Sequence, residues 1–94
     1  MKIFLTRRAE KDYNSIREYI TQEWGDKTAE TFTKKADEIF QLLESFPEMG
    51  PLENKDIRGF QLSKQTRILY RIREQKIIIL SLFDVRQNPK KRPR

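Results

Sequence analysis

The chain has no cysteine and no histidine among its 94 residues. Without cysteine there are no disulfides and no thiolate metal ligands, so the fold must rest on its own apolar core, a composition that suits a reducing compartment. Without histidine the commonest general base near neutral pH and the commonest metal ligand are both missing, which excludes histidine-based triads. Any chemistry therefore falls to arginine, lysine, tyrosine, hydroxyl or carboxylate groups. No spaced cluster of carboxylates suggests an oxygen-ligand site, so neither a metal nor another cofactor is expected. Long apolar runs are lacking too. Ile3 to Leu5 is far shorter than the core of a signal peptide, and nothing approaches the ~20 residues that span a bilayer. A soluble cytoplasmic protein without a membrane partner is expected, built as a single domain over residues 1–94.

What is present is an uneven division of charge. Residues 1–54 carry eight Lys/Arg against eleven Asp/Glu, a net of −3, whereas residues 55–94 carry twelve against three, a net of +9. The basic part also holds the strand-like segments, so the positive field should sit on a sheet and its tail. That predicts an acidic or polyanionic partner.

Residues 2–6 form a short apolar run closed by Thr6, which can cap a following helix. From Arg7 to Trp24, apolar residues at Ala9, Tyr13, Ile16, Ile20 and Trp24 recur in steps of three and four and trace one helical face. Gly25 reads as the stop and Asp26 as the next N-cap. A second helix, Lys27 to Phe46, repeats the pattern at Ala29, Phe32, Ala36, Ile39, Phe40, Leu43 and Phe46, and Pro47 ends it. With so short a link, the two should fold back as an antiparallel hairpin. Glu48 to Asn54 reads as a loop, followed by strands at Lys55–Leu62, Thr66–Arg73 and Lys76–Phe83 joined as an antiparallel meander. The last is apolar at nearly every position and is expected to be covered on both sides. The fold class is α+β, in the order β-α-α-β-β-β: an antiparallel sheet with an N-terminal helical hairpin on one face. Residues 87–94 are expected to form a mobile basic tail that assists binding.

Arg67, Arg71 and Arg73 recur at even spacing, which places their guanidinium groups on the side of the sheet away from Ile68, Tyr70 and Ile72. Such a stripe suits carboxylates and phosphates, though it also reads as a solvated face protected against edge pairing. Arg86 follows the last strand and is expected to emerge near Arg67, so that the two share one anion site. At a phosphodiester they would stabilise the charge developing on phosphorus. Proton transfer would fall to Tyr70, Lys64 or Glu74, but Tyr70 lies in the core phase of its strand and reads as a packed tyrosine with a satisfied hydroxyl. Trp24 is either an exposed partner anchor or, the favoured reading, the filling of the hairpin corner.

The segments EYITQEWG, AETFTKKADEIFQLLESFPEMG, TRILYRI and ILSLFDVRQNP together resemble the RelE/ParE toxins of bacterial toxin–antitoxin modules, over residues 1–90. The resemblance implies a small toxin of the plasmid-stabilisation kind, neutralised by a cognate antitoxin from the same operon in a hetero-oligomer. RelE-like members cut messenger RNA in the ribosomal A site, whereas ParE-like members poison DNA gyrase and are not known to be hydrolases. On the RelE-like pattern Arg67 and Arg86 would be catalytic. The aromatic or histidine usual beyond the second arginine is replaced here by Gln87, Asn88 and Pro89. The EWG turn and the FDVRQNP ending look more like the ParE branch. The expectation is therefore a gyrase-inhibiting toxin that meets its target or antitoxin through Arg67, Arg71, Arg73, Arg86 and Trp24, the alternative being a nuclease acting on ribosome-bound mRNA.

Overall fold

The computed structural model describes residues 1–87. The expected tail, Gln87 apart, lies outside the described residues. Seven elements follow in order: β1 (Lys2–Leu5), α1 (Arg7–Trp24), α2 (Asp26–Ser45), β2 (Leu52–Asn54), β3 (Ile57–Gln61), β4 (Thr66–Arg73) and β5 (Lys76–Asp84).

Helix α1 starts where the Thr6 hydroxyl accepts the Ala9 amide at 3.0 Å and stops at Gly25, whose amide donates to the Thr21 carbonyl. Gly25 sits at φ 92°, ψ 176° and is the single residue between the helices. That backbone region is open essentially to glycine alone, so this one residue permits the reversal. Asp26 is the first residue of α2 rather than its cap, because the glycine already occupies the capping position. The helices return antiparallel, with the rings of Tyr13 and Phe32 5.4 Å apart and Arg17 donating to Thr33.

Ala9, Ile16 and Ile20 from α1 meet Ala29, Phe32, Ala36, Ile39 and Leu43 from α2 and Leu62, Ile68, Tyr70, Ile77, Ile79 and Leu82 from the strand region in one buried cluster. Burying each large side chain contributes about 1.5–3 kcal/mol. The final residue of each apolar stripe leaves the core: Trp24 is 51% exposed and Phe46 62%. Trp24 therefore does not fill the hairpin corner.

The strand order is β1-β5-β4-β3-β2. The helical hairpin and the antiparallel β3-β4-β5 meander are as expected, but the sheet is mixed, because β1 pairs with β5 in parallel. Strand β5, apolar at most positions, needs a neighbour on each side, and the amino terminus supplies one. The segment read as a loop holds β2, an irregularly registered three-residue edge strand.

Beyond Leu5 the start of α1 takes over the edge of β5. The Thr6 amide donates to the Ile79 carbonyl, the Thr6 hydroxyl to the Leu80 carbonyl, and Asp12 accepts the Leu82 amide at 3.1 Å. Leu80 is the extra residue of a bulge, since Leu69 pairs with Ser81 and Tyr70 with Ile79. The bulge reverses the strand's phase. Ile77 and Ile79 face the helices before it, Leu82 and Asp84 after it, and Phe83 is turned outward. Strand β5 is thus buried on one face only, and its other face stays half-buried.

Candidate functional site

The face of the sheet without helices is built from four cross-strand rungs. Lys2, Lys76 and Arg73 form the first; Phe4, Ile78, Arg71 and Ile57 the second; Ser81, Leu69 and Gly59 the third; Phe83, Arg67 and Gln61 the fourth. Arg67, Arg71 and Arg73 do lie together on this face, as their even spacing requires. Three cations stand side by side in the first rung, an arrangement that costs stability in an isolated sheet. Between the cations runs an apolar strip, and the Lys76 ammonium lies 5.7 Å from the centre of the Phe4 ring.

The stripe is neither simply solvated nor free, because each of its arginines approaches a carboxylate of the chain itself. Arg67 is ion-paired with Glu53 and donates to Gln61 at 3.0 Å. Arg73 donates to Asp56 at 3.0 and 3.2 Å, while Arg71 approaches the same carboxylate only to 3.7 Å. The Arg71 Nε has no hydrogen-bond partner. Asp56 therefore serves two arginines, and the Arg73 hydrogen bond, helped by both nearby charges, holds its pKa below the usual carboxylate value. The acidic partners come from β2 and the β2–β3 turn, where the sequence pattern predicts the end of a loop and the start of a strand.

Arg86 belongs to a different place. Its guanidinium grips Asp84 at both ends, at 3.0 and 2.7 Å, its amide donates to the same carboxylate at 2.9 Å, and the Thr66 hydroxyl adds a fourth bond at 2.5 Å. Asp84 is only 2% exposed and faces the helices. Burial alone would push its pKa up, but the Arg86 and Thr66 bonds outweigh that and leave it below the ordinary value. The bond to Asp84 in turn pushes the Arg86 pKa up. The guanidinium carbon also lies 5.6 Å from the centre of the Trp24 ring, which meets Tyr19 edge-on at 5.9 Å. Arg67 and Arg86 do not share an anion site, because the bulge put Asp84 on the helix side and Arg86 with it.

Tyr70 is fully buried. Its hydroxyl donates to the Pro47 carbonyl at 2.7 Å and accepts the Gly50 amide at 3.0 Å, and burial pushes its pKa up. It is the packed tyrosine the sequence indicated, and it holds the turn after α2 together with Arg58, which donates to the Glu48 and Gly50 carbonyls. Glu74 lies in the turn at the far end of β4 from Arg67, roughly 20 Å along the strand. Among the described residues no three Asp/Glu side chains converge on a point where they would hold a metal. No helix among them is long and apolar enough to cross a membrane. The arrangement can bind anions and apolar groups, and it keeps Tyr70 in the core and Glu74 at the far end of β4 from Arg67.

A family model described as the ParE toxin of the type II toxin–antitoxin system parDE matches residues 3–89. Among solved structures the chain is similar to one from the chromosomal ParDE system of P. aeruginosa, with 22% identity, a TM-score of 0.76, and 89% of this chain and 95% of that one covered. It is also similar to a YoeB/ParE toxin from Agrobacterium tumefaciens (16% identity, TM-score 0.66, covering 89% and 98%). A third is a chain of the toxin–antitoxin complex RelBE2 from Mycobacterium tuberculosis (20% identity, TM-score 0.60, covering 88% and 95%). No curated protein sequence matches significantly. At these identities the structural likenesses speak for the fold.

Proposed function

The chain belongs to the ParE toxin family of type II toxin–antitoxin systems, and on that premise we propose that it is a toxin that inhibits DNA gyrase by binding it, without itself cleaving a substrate. A cognate antitoxin holds it in check. The observation that carries this reading is the separation of the two candidate catalytic arginines: Arg67 stands on the open face beside Glu53, whereas Arg86 is tied to buried Asp84 on the other. Tyr70 is buried with both of its hydrogen bonds made, and Glu74 lies at the far end of β4 from Arg67, so neither stands where the two arginines could share it in proton transfer. Binding needs only the cations and the apolar strip.

The antitoxin's place is the open face. A rung of three like charges and an arginine Nε without an acceptor are costs that an acidic segment would relieve. Its apolar residues would cover Phe4, Ile78 and Leu69, which the helices leave bare. The edge formed by Trp24, Tyr19 and Arg86 supplies the residue types over-represented in binding hot spots and is the candidate contact for gyrase.

The test is a supercoiling assay with purified gyrase and micromolar toxin. Inhibition with gyrase-dependent DNA breaks is expected, relieved by equimolar antitoxin. An unaffected gyrase, together with codon-phased cleavage of a translated message that vanishes in Arg67→Ala, would replace this reading by the ribosome-dependent nuclease.

A further inference from the structure

Of the rungs on the open face, the one that carries Arg67 is already filled by an acid from within the chain. Glu53 reaches over Gly59 to the Arg67 guanidinium, and Gly59 leaves the room for it: a side chain at that position would collide with both the Glu53 carboxylate and the Arg67 guanidinium. The pair lines a recess of about 250 Å³ with Leu69, Ser81 and Phe83. Its floor is apolar and its cation is already matched to a carboxylate.

The strand that delivers Glu53 is poorly anchored. Strand β2 has three residues, all exposed, pairs only with β3, and changes register between Leu52 and Asn54. Short edge segments of this kind open locally at little cost. The two side chains keep 37% and 32% of their surface in water, so the pair is screened, and exposed pairs of this type shift an equilibrium by about fivefold at most.

We propose that Glu53 is a placeholder for a partner's carboxylate: an acidic, amphipathic polypeptide segment displaces it from Arg67 and seats an apolar neighbour against Leu69 and Phe83. This rests on the antitoxin reading above. Glu53 thereby lowers the toxin's affinity for that segment, since the site must be vacated before it is filled. A polypeptide fits better than a nucleic acid because the recess already accommodates a carboxylate, and the adjoining rungs continue as apolar side chains between cations.

Two measurements test it. Titration of purified antitoxin into the toxin should give about two- to fivefold tighter binding for Glu53→Gln than for the wild type. Glu30→Gln, the same charge change on the exposed side of α2, should change less, and the Glu53 effect should vanish in an Arg67→Gln background. Equal or weaker binding by Glu53→Gln overturns the proposal, as does a gain that persists without Arg67. In the second measurement, acetate is titrated into the free toxin and followed at the Arg67 Nε–H resonance. Half-saturation should fall about two- to fivefold in Glu53→Gln, and no change overturns the placeholder whatever the antitoxin does. An acetate response as expected, with no antitoxin binding by the wild type, would reject the antitoxin reading alone.

Discussion

The two faces of the sheet use the same chemistry to opposite ends. On the helix-covered face, Arg86 and Asp84 form a forked pair completed by a hydroxyl and an amide, with the carboxylate almost wholly out of water. On the open face, Arg67, Arg71 and Arg73 share two carboxylates from a short edge strand and its turn, and every member keeps part of its surface wet. At 4 Å a pair of unit charges interacts by about 1 kcal/mol in bulk water and about 4 kcal/mol at the effective dielectric near protein. Solvent access, more than the residue types, separates a pair that fastens the chain from one that a partner can exchange.

The contrast is broken most severely at Asp84. Asp84→Asn removes the charge while keeping the size, leaving Arg86 with a partly buried guanidinium and no counter-ion, so a loss of about 2–4 kcal/mol in unfolding free energy at pH 7 is expected from urea titration. The loss should depend on acidity with a definite sign. Because the folded-state pKa of Asp84 lies below its unfolded value, its contribution is complete above the unfolded pKa of about 3.9 and disappears as pH falls through the folded value. The gap in stability between the wild type and the variant should therefore narrow as the pH falls below the unfolded value. Equal urea midpoints at pH 7 would show that burial does not make this pair structural.

A smaller effect on the same face comes from Tyr70→Phe. The change leaves the Gly50 amide and the Pro47 carbonyl without their partner in a buried turn, for a loss of about 1–2 kcal/mol. Gyrase inhibition at a temperature where the variant stays folded should be unchanged, because the hydroxyl serves the turn. Abolished toxicity in a folded variant would make Tyr70 part of the site and erase the distinction between the faces.

Much of this was readable from residue order. The steps of three and four from Ala9 to Trp24 placed α1 at its observed ends, and the alternation from Thr66 to Arg73 put Ile68 and Tyr70 inside and the three arginines outside. Local periodicity is enough for such elements. The parallel pairing of β1 with β5 was hidden because its partners lie more than seventy residues apart and no turn records their register. The bulge at Leu80 was hidden for a related reason. In an almost uniformly apolar strand, a phase reversal leaves no polar residue out of place until Asp84, the one residue whose inward turn sends Arg86 away from Arg67. Glu53 and Asp56 were missed as partners because a three-residue strand carries too little pattern to announce itself.

The subtlest probe of the open face is Arg71. It shares Asp56 with Arg73, stands 3.7 Å from that carboxylate, and its Nε has no acceptor. An arginine placed this way gains little from the folded monomer, so Arg71→Gln should change unfolding free energy by no more than about 0.5 kcal/mol in either direction. Affinity for the antitoxin should nevertheless fall, and fall more at low ionic strength than at high, since the interaction lost is between charges only partly shielded from solvent. A destabilisation as large as that of Asp84→Asn would mean that the open face is fastened like the covered one, with no arginine held in reserve for a partner. Unchanged stability with reduced, salt-dependent affinity would identify Arg71 as a residue whose bonding is completed from outside the chain.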